Sequence, residues 1–189
     1  MVNRIATILT LLLLIATGCN RQPVATTEES PPKQHATVDE SKQLSITLDN
    51  EGRFAEGSSW TLTVNSDRSA ALEIRTFPDS QTRIFTLTVD QMDALRSTLE
   101  AERFFDLADK YGEVVPDGST RTITVQLGDT KKTVELNFLM NWVHSEPHKL
   151  VEPARAVRIW RHCREWFSDD EAVDLGRYNQ MVLDAVADR

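Results

Sequence analysis

Two histidines flank a carboxylate in the run Trp142-Val143-His144-Ser145-Glu146-Pro147-His148, the densest group of potential metal ligands in the chain. Imidazole and carboxylate are both zinc ligands, and on an extended segment His144, Glu146 and His148 share one side. Pro147 removes a backbone donor and disfavours a regular strand or helix, so the run is expected to be a loop. A bound metal also needs a further ligand with fixed supporting partners, and His162 is the remaining histidine of the domain. The expectation is therefore a solvated turn without metal. His144, Glu146 and His148 are the residues on which the alternative, a metal-dependent hydrolase, would rest.

Cys163 has Arg161, His162 and Arg164 as sequence neighbours, and nearby cations lower a thiol's pKa. Neighbours on a helix point in different directions, however, and Cys163 shares an apolar stripe with Trp160 and Phe167, where sulfur is usually buried and inert. Arg155, Arg158, Arg161 and Arg164 recur every third residue, a pattern able to grip an anion but more often a solvated face pairing with local acids. Asp106, Asp109 and Glu113 have no spacing that makes them a hydrolytic pair. The seven glycines never fall into a dinucleotide or phosphate-loop pattern, and no Gly-x-Ser-x-Gly or Cys-x-x-Cys occurs. No catalytic residue and no cofactor is expected, which points away from an enzyme.

The elements carrying these residues read as an α+β domain. Trp60, Leu62 and Val64 alternate with Thr61 and Thr63, and after a polar turn Leu72 and Ile74 alternate with Glu73, giving a hairpin. A third strand is expected from Thr82 to Thr88, with Phe85 and Leu87 on one side. A helix then runs from about Val89 to Glu102, capped by Thr88 with Gln91, or by Asp90. Its apolar face is Met92, Leu95 and Leu99. Ile123, Val125 and Leu127, then Gly128-Asp129, then Val134, Leu136 and Phe138 make the clearest hairpin. Pro153 suits the first turn of a helix striped by Ile159, Trp160, Cys163 and Phe167. Asp169 or Asp170 is placed to cap a last helix carrying Val173, Val182, Ala185 and Val186, weakened in its first half by Gly176. The predicted architecture is an antiparallel sheet of about five strands, wet on one side, with helices packed on the other face and a helical C-terminal segment.

The 189-residue chain carries a formal net charge of -8, which disfavours nucleic acid as a partner. Its first 18 residues read as a signal peptide. Arg4 supplies the charge, the apolar run from about Ile5 to Ile15 is too short to span a bilayer, and Ala16-Thr17-Gly18 is a small-residue approach to a cleavage site. Residues 19–43 form a polar tether containing Pro31-Pro32, of roughly 25–30 Å root-mean-square reach. Residues 44–189 form one globular domain.

The run Leu14-Ile15-Ala16-Thr17-Gly18-Cys19 resembles the lipobox of bacterial lipoproteins, although Ala16 stands where that family usually has Leu. The resemblance implies lipid attachment at Cys19, by a diacylglycerol and palmitate-type acyl chains, with cleavage before it. It further implies a protein exported and anchored to a bacterial membrane, facing the periplasm or exterior. Asn20, where an inner-membrane retention signal would carry Asp, leans the expectation toward the outer membrane. The lipid is then the contact with the membrane, and Cys163 is left without a disulfide partner. The domain is similar to small uncharacterised exported domains of planctomycete type through its Leu87-Thr88-x-x-Gln91-Met92-x-x-Leu95 helix entry and Phe104-Phe105-x-Leu107. That likeness carries over no catalytic residue. The functional expectation is a non-enzymatic envelope module binding an envelope protein, peptide or wall component through the wet sheet face or the C-terminal helices. The alternative is an envelope hydrolase using His144, Glu146 and His148.

Overall fold

Leu44, Ile46 and Leu48 alternate with Ser45, Thr47 and Asp49 along the strand β1, Leu44–Glu51, and the apolar set is fully buried. The computed structural model describes residues 43–52, 59–75, 79–116, 118–167 and 176–187, all within the unit Gln34–Arg189. The expected signal peptide, Cys19, residues 20–42 of the tether, Asp169, Asp170 and Val173 lie outside the described residues.

The same alternation builds β2 (Ser59–Val64), β3 (Ser69–Arg75), β6 (Thr120–Leu127) and β7 (Thr130–Leu136), while β4 (Ser80–Thr86) is exposed at nearly every position. With the short β5 (Lys110–Tyr111) they form one seven-stranded sheet in the order β4-β3-β2-β1-β6-β7-β5. All neighbours are antiparallel except β5 and β7. Seven strands replace the five expected, the additions being β1 and β5. β1 is the centre of the sheet, pairing Leu48 with Leu62 on one side and with Ile123 on the other. Its alternation abuts the polar run that precedes it, and β5 is too short for any period.

Two turns show why the hairpins form where they do. Asn65 donates its backbone N–H to the Ser69 carbonyl at 2.9 Å, closing β2 onto β3. Between β6 and β7, Gly128 takes φ +56°, a conformation costly for a residue with a Cβ.

α1 (Val89–Ala101) begins with the expected capping box: Thr88 Oγ1 accepts from the Gln91 backbone at 3.1 Å, and Gln91 Oε1 accepts from the Thr88 backbone at 2.8 Å. Thr88, rather than Asp90, is the cap, and the third strand accordingly stops at Thr86. Met92, Leu95 and Leu99 are buried as the spacing requires. α2 (Met140–Ser145) and a 3-10 turn from Pro147 to Leu150 lead into α3 (Val151–Arg164). Pro153 is the third residue of α3 instead of its first, because the preceding turn already aligns Val151 and Glu152. α4 runs Gly176–Ala187, so Gly176 stands at its first residue and not within its interior.

Ile159, Trp160, Cys163 and Phe167 are all buried. Trp160 lies 5.0 Å from Trp60, ring centre to ring centre, and Phe167 meets Trp60 edge-on at 5.3 Å. This aromatic group fastens α3 and the turn after it to the β2 strand, and such pairs add about 0.5–1.5 kcal/mol each beyond area burial.

Candidate functional site

The groups singled out for chemistry are dispersed or engaged. His144 is exposed near the end of α2, Glu146 is half-buried in the break that follows, and His148 is exposed in the 3-10 turn. The run is helical on both sides of Glu146, not an extended loop. Pro147 begins the 3-10 turn, a first position where a missing N–H costs nothing. Alternate residues of a helical segment diverge, so the shared side that an extended run would give is lost. Glu146 accepts from Lys149 Nζ at 2.8 Å. Among the described residues no three His, Cys, Asp or Glu side chains come together as a metal site. His162, half-buried, sets its ring 5.6 Å from that of Trp166.

Cys163 is fully buried and free, and burial pushes its thiol well above the ordinary range, with Glu165 adding to the shift. That is the environment of an inert sulfur. The arginines of α3 are tied into the fold. Arg155 donates to the Arg103 carbonyl at 2.9 Å, Arg158 to Glu102 at 2.6 Å, and Arg161 to Gln180 at 3.4 Å. Asp106 receives Arg103, and Asp109 receives Lys132.

What remains open to solvent is the second face of the sheet. Strand registry aligns Thr63, Thr47, Thr124 and Thr133 across β2, β1, β6 and β7. The neighbouring row is Thr61, Asp49, Thr122 and Glu135. Pleating alone places these hydroxyls here, because every second residue of a strand whose first set is buried must face the other way. Thr124 and Thr133 share a hydrogen bond at 3.0 Å. Thr61 donates to Asp49 at 2.5 Å, and Arg75 reaches both Thr61 at 3.0 Å and Asp49 at 3.3 Å. At the far flank Lys110 pairs with Glu135 at 2.9 Å, and Asn137 donates to the same carboxylate at 2.9 Å. Lys110 and then Asn137 hold the Glu135 carboxyl below its usual range.

The face is thus a strip of threonine hydroxyls beside a row in which Asp49 and Glu135 are each paired with a cation. Each hydroxyl both donates and accepts, and the grid repeats at about 4.8 Å from strand to strand. A threonine becomes a nucleophile only beside a general base; on this face Asp49 is held by Arg75 and Glu135 by Lys110, while Glu73 of β3 stands opposite Thr61.

The central contributors to this face, Ser45, Thr47 and Asp49, come from β1. The Leu44-Ser45-Ile46-Thr47-Leu48-Asp49 alternation was the signal able to reveal them.

A second polar group lies inside the core. Arg121 is 3% exposed on the same face of β6 as Ile123, and it donates to Asn179 Oδ1 of α4 at 2.6 Å. Asn50 and Trp60 continue its row across β1 and β2. On β5, the Tyr111 hydroxyl accepts from the Ala108 backbone at 2.7 Å and donates to Glu152 Oε2 at 2.9 Å. Burial chiefly pushes this phenol up to about 12; the Ala108 bond opposes the shift and Glu152 reinforces it.

No family model matches the chain, and the comparison with curated proteins yields no match. Among the described residues, no helix is long and apolar enough to cross a membrane.

Proposed function

We propose that the chain is an exported lipoprotein, anchored through acyl chains on Cys19, whose domain is a non-enzymatic envelope module binding through its hydroxyl-lined sheet face. The ligand class is an envelope protein, peptide or wall component with an extended, hydrogen-bonding backbone. The single observation that carries the binding role is the strip of half-exposed Thr63, Thr47 and Thr124 with exposed Thr133, aligned by the pairing of four strands. Engagement of Arg155, Arg158 and Arg161 within the fold favours the sheet face over the C-terminal helices as the contact.

Lipid supplies location in this reading. Acyl chains contribute about 0.8 kcal/mol per buried CH₂, so two or more hold a protein at a membrane without any apolar docking surface on the domain. Location in the outer membrane rests on Asn20 alone.

Two experiments test the two halves. Mass spectrometry of the mature N-terminus is expected to find a diacylglycerol-modified Cys19; an unmodified thiol there overturns the anchor. A photo-crosslinking residue at Thr63 is expected to form adducts in the cell envelope, and one at Arg161 is not. Adducts at Arg161 with none at Thr63 would move the contact to the helices and overturn the sheet-face assignment.

A further inference from the structure

The seven-stranded sheet ends differently on its two sides. On one side β5 is two residues long and Lys110 is paired with Glu135, a short and charged end of the kind that resists edge-to-edge pairing. On the other side β4 is seven residues long and borders only β3 among the described residues. Its fifth residue is Ile84, 82% exposed.

Hydrogen-bond parity fixes which backbone groups this edge offers. Leu87 donates its N–H to the Arg68 carbonyl at 2.9 Å, in the same register that pairs Ala70 with Phe85 and Leu72 with Arg83. Bonded pairs alternate along an antiparallel ladder, so Phe85, Arg83 and Gln81 turn their backbone groups toward β3. Ser80, Thr82, Ile84 and Thr86 therefore turn theirs outward. β3 obeys the same alternation: Asn65 bonds Ser69, which assigns Ser69, Ala71 and Glu73 to β2 and leaves Ala70, Leu72 and Ile74 for β4.

From this we infer that β4 pairs antiparallel with β4 of a second copy of the chain, about a two-fold axis at Ile84. The occupant follows from self-complementarity. With the axis at Ile84, the outward groups of Thr82, Ile84 and Thr86 meet those of Thr86, Ile84 and Thr82, making about six backbone hydrogen bonds. Ile84 then packs against its own copy, and Arg83 stands opposite Phe85, where a cation over a ring is favourable. An axis at Arg83 sets two guanidinium groups directly against each other. An axis at Thr82 leaves Ile84 opposite Ser80 and unburied.

A two-fold of this kind is an isologous contact, and it closes at two copies. It joins two seven-stranded sheets edge to edge with both hydroxyl faces on the same side.

Cysteine cross-linking in the full chain tests the register, using a Cys19→Ser background in which Cys163 is buried. Ile84→Cys is expected to form a disulfide-linked dimer under mild oxidation at least about tenfold faster than Thr82→Cys, since only residue 84 meets itself within the ~5 Å Cβ separation of opposed residues. Thr82→Cys combined with Thr86→Cys restores the dimer. Sedimentation of the background chain is expected to give a dimer that Ile84→Lys converts to a monomer with an unchanged circular dichroism spectrum. Equal cross-linking at residues 82 and 84, or a background chain that stays monomeric at high concentration, overturns the inference. So does an added extended peptide that occupies the edge of a monomeric chain.

Discussion

The two faces of one sheet divide the work of this molecule. On the dry face, Leu44, Ile46, Leu48, Trp60, Leu62, Leu72, Ile123 and Val134 are essentially without solvent exposure. On the other, the intervening residues of the central strands are serines, threonines, Asp49, Glu51 and Gln126, all but the exposed Glu51 half-exposed. Both faces come from the same strands at the same time, since a pleated strand allots every second residue to each side. Stability is therefore concentrated where the side chains cannot touch a ligand, and the face that can touch one contributes little to holding the fold.

The largest expected effect lies on the dry face. Trp60 is fully buried between Trp160 and Phe167, so Trp60→Ala removes the contact that joins β2 to α3. Loss of about 3–5 kcal/mol is expected in denaturant unfolding, the usual cost of deleting a buried aromatic. A loss under about 1 kcal/mol would show that the aromatic group does not organise the core.

Next comes the polar exception to that face. Arg121→Met keeps the bulk but leaves Asn179 without its 2.6 Å donor, at a cost of about 1–3 kcal/mol. Because Asn179 belongs to α4, hydrogen exchange in Gly176–Ala187 should rise more than exchange in β6. Uniform change across both elements would mean that Arg121 serves the sheet and not the helix.

Much of this division was written in the sequence, and the failures have physical causes. The β6–β7 hairpin was legible because alternation on both arms met at Gly128-Asp129, and the α1 start was legible because Thr88 and Gln91 form a local capping box. Both signals lie within a few residues of each other. β1 carried equally clean alternation but borders a polar run, and nothing local says that a strand beside a tether becomes the sheet's centre. Arg121 shows the opposite limit: its parity with Ile123 assigns it to the dry face, yet an arginine there becomes comprehensible only once Asn179, far along the chain, is seen beside it. The His144 to His148 run failed for a third reason. Within a strand or helix Pro147 would end regular structure, whereas at the first position of a 3-10 turn it starts one. The hydroxyl face was visible as wet, but its alignment across four strands depends on a pairing order in which β1 stands between β2 and β6.

A smaller effect sits at the margin between the faces. Burial pushes the Tyr111 phenol up to about 12 in the folded chain, from 10.0 for a free phenol. Between those values the unfolded chain ionises while the folded chain holds the proton, so the folded state binds more protons and stability falls as pH rises. Below that window the contribution is complete. Unfolding measured near pH 9 and near pH 12 should show a larger loss for the parent chain than for Tyr111→Phe, which has no phenol to titrate. Equal losses would mean that the Tyr111 phenol is not buried in solution beside Glu152.

The smallest expected effect on stability is the sharpest test of the comparison. Thr47→Val, Thr63→Val and Thr124→Val each replace one hydroxyl by a methyl while keeping the β-branched shape that strands favour. None of the three side chains faces the core, so each is expected to shift unfolding by no more than about 0.5 kcal/mol. Thr124→Val also removes the 3.0 Å bond to Thr133, and that bond is exposed, where water replaces it at little cost. The triple variant should therefore fold like the parent yet lose envelope adducts formed through a photo-crosslinking residue at Ser45, on the same face. Were the triple variant to unfold far more readily than the parent, the hydroxyl strip would belong to the fold's support. Unchanged adduct formation in a stable triple variant would instead leave the strip without a part in recognition.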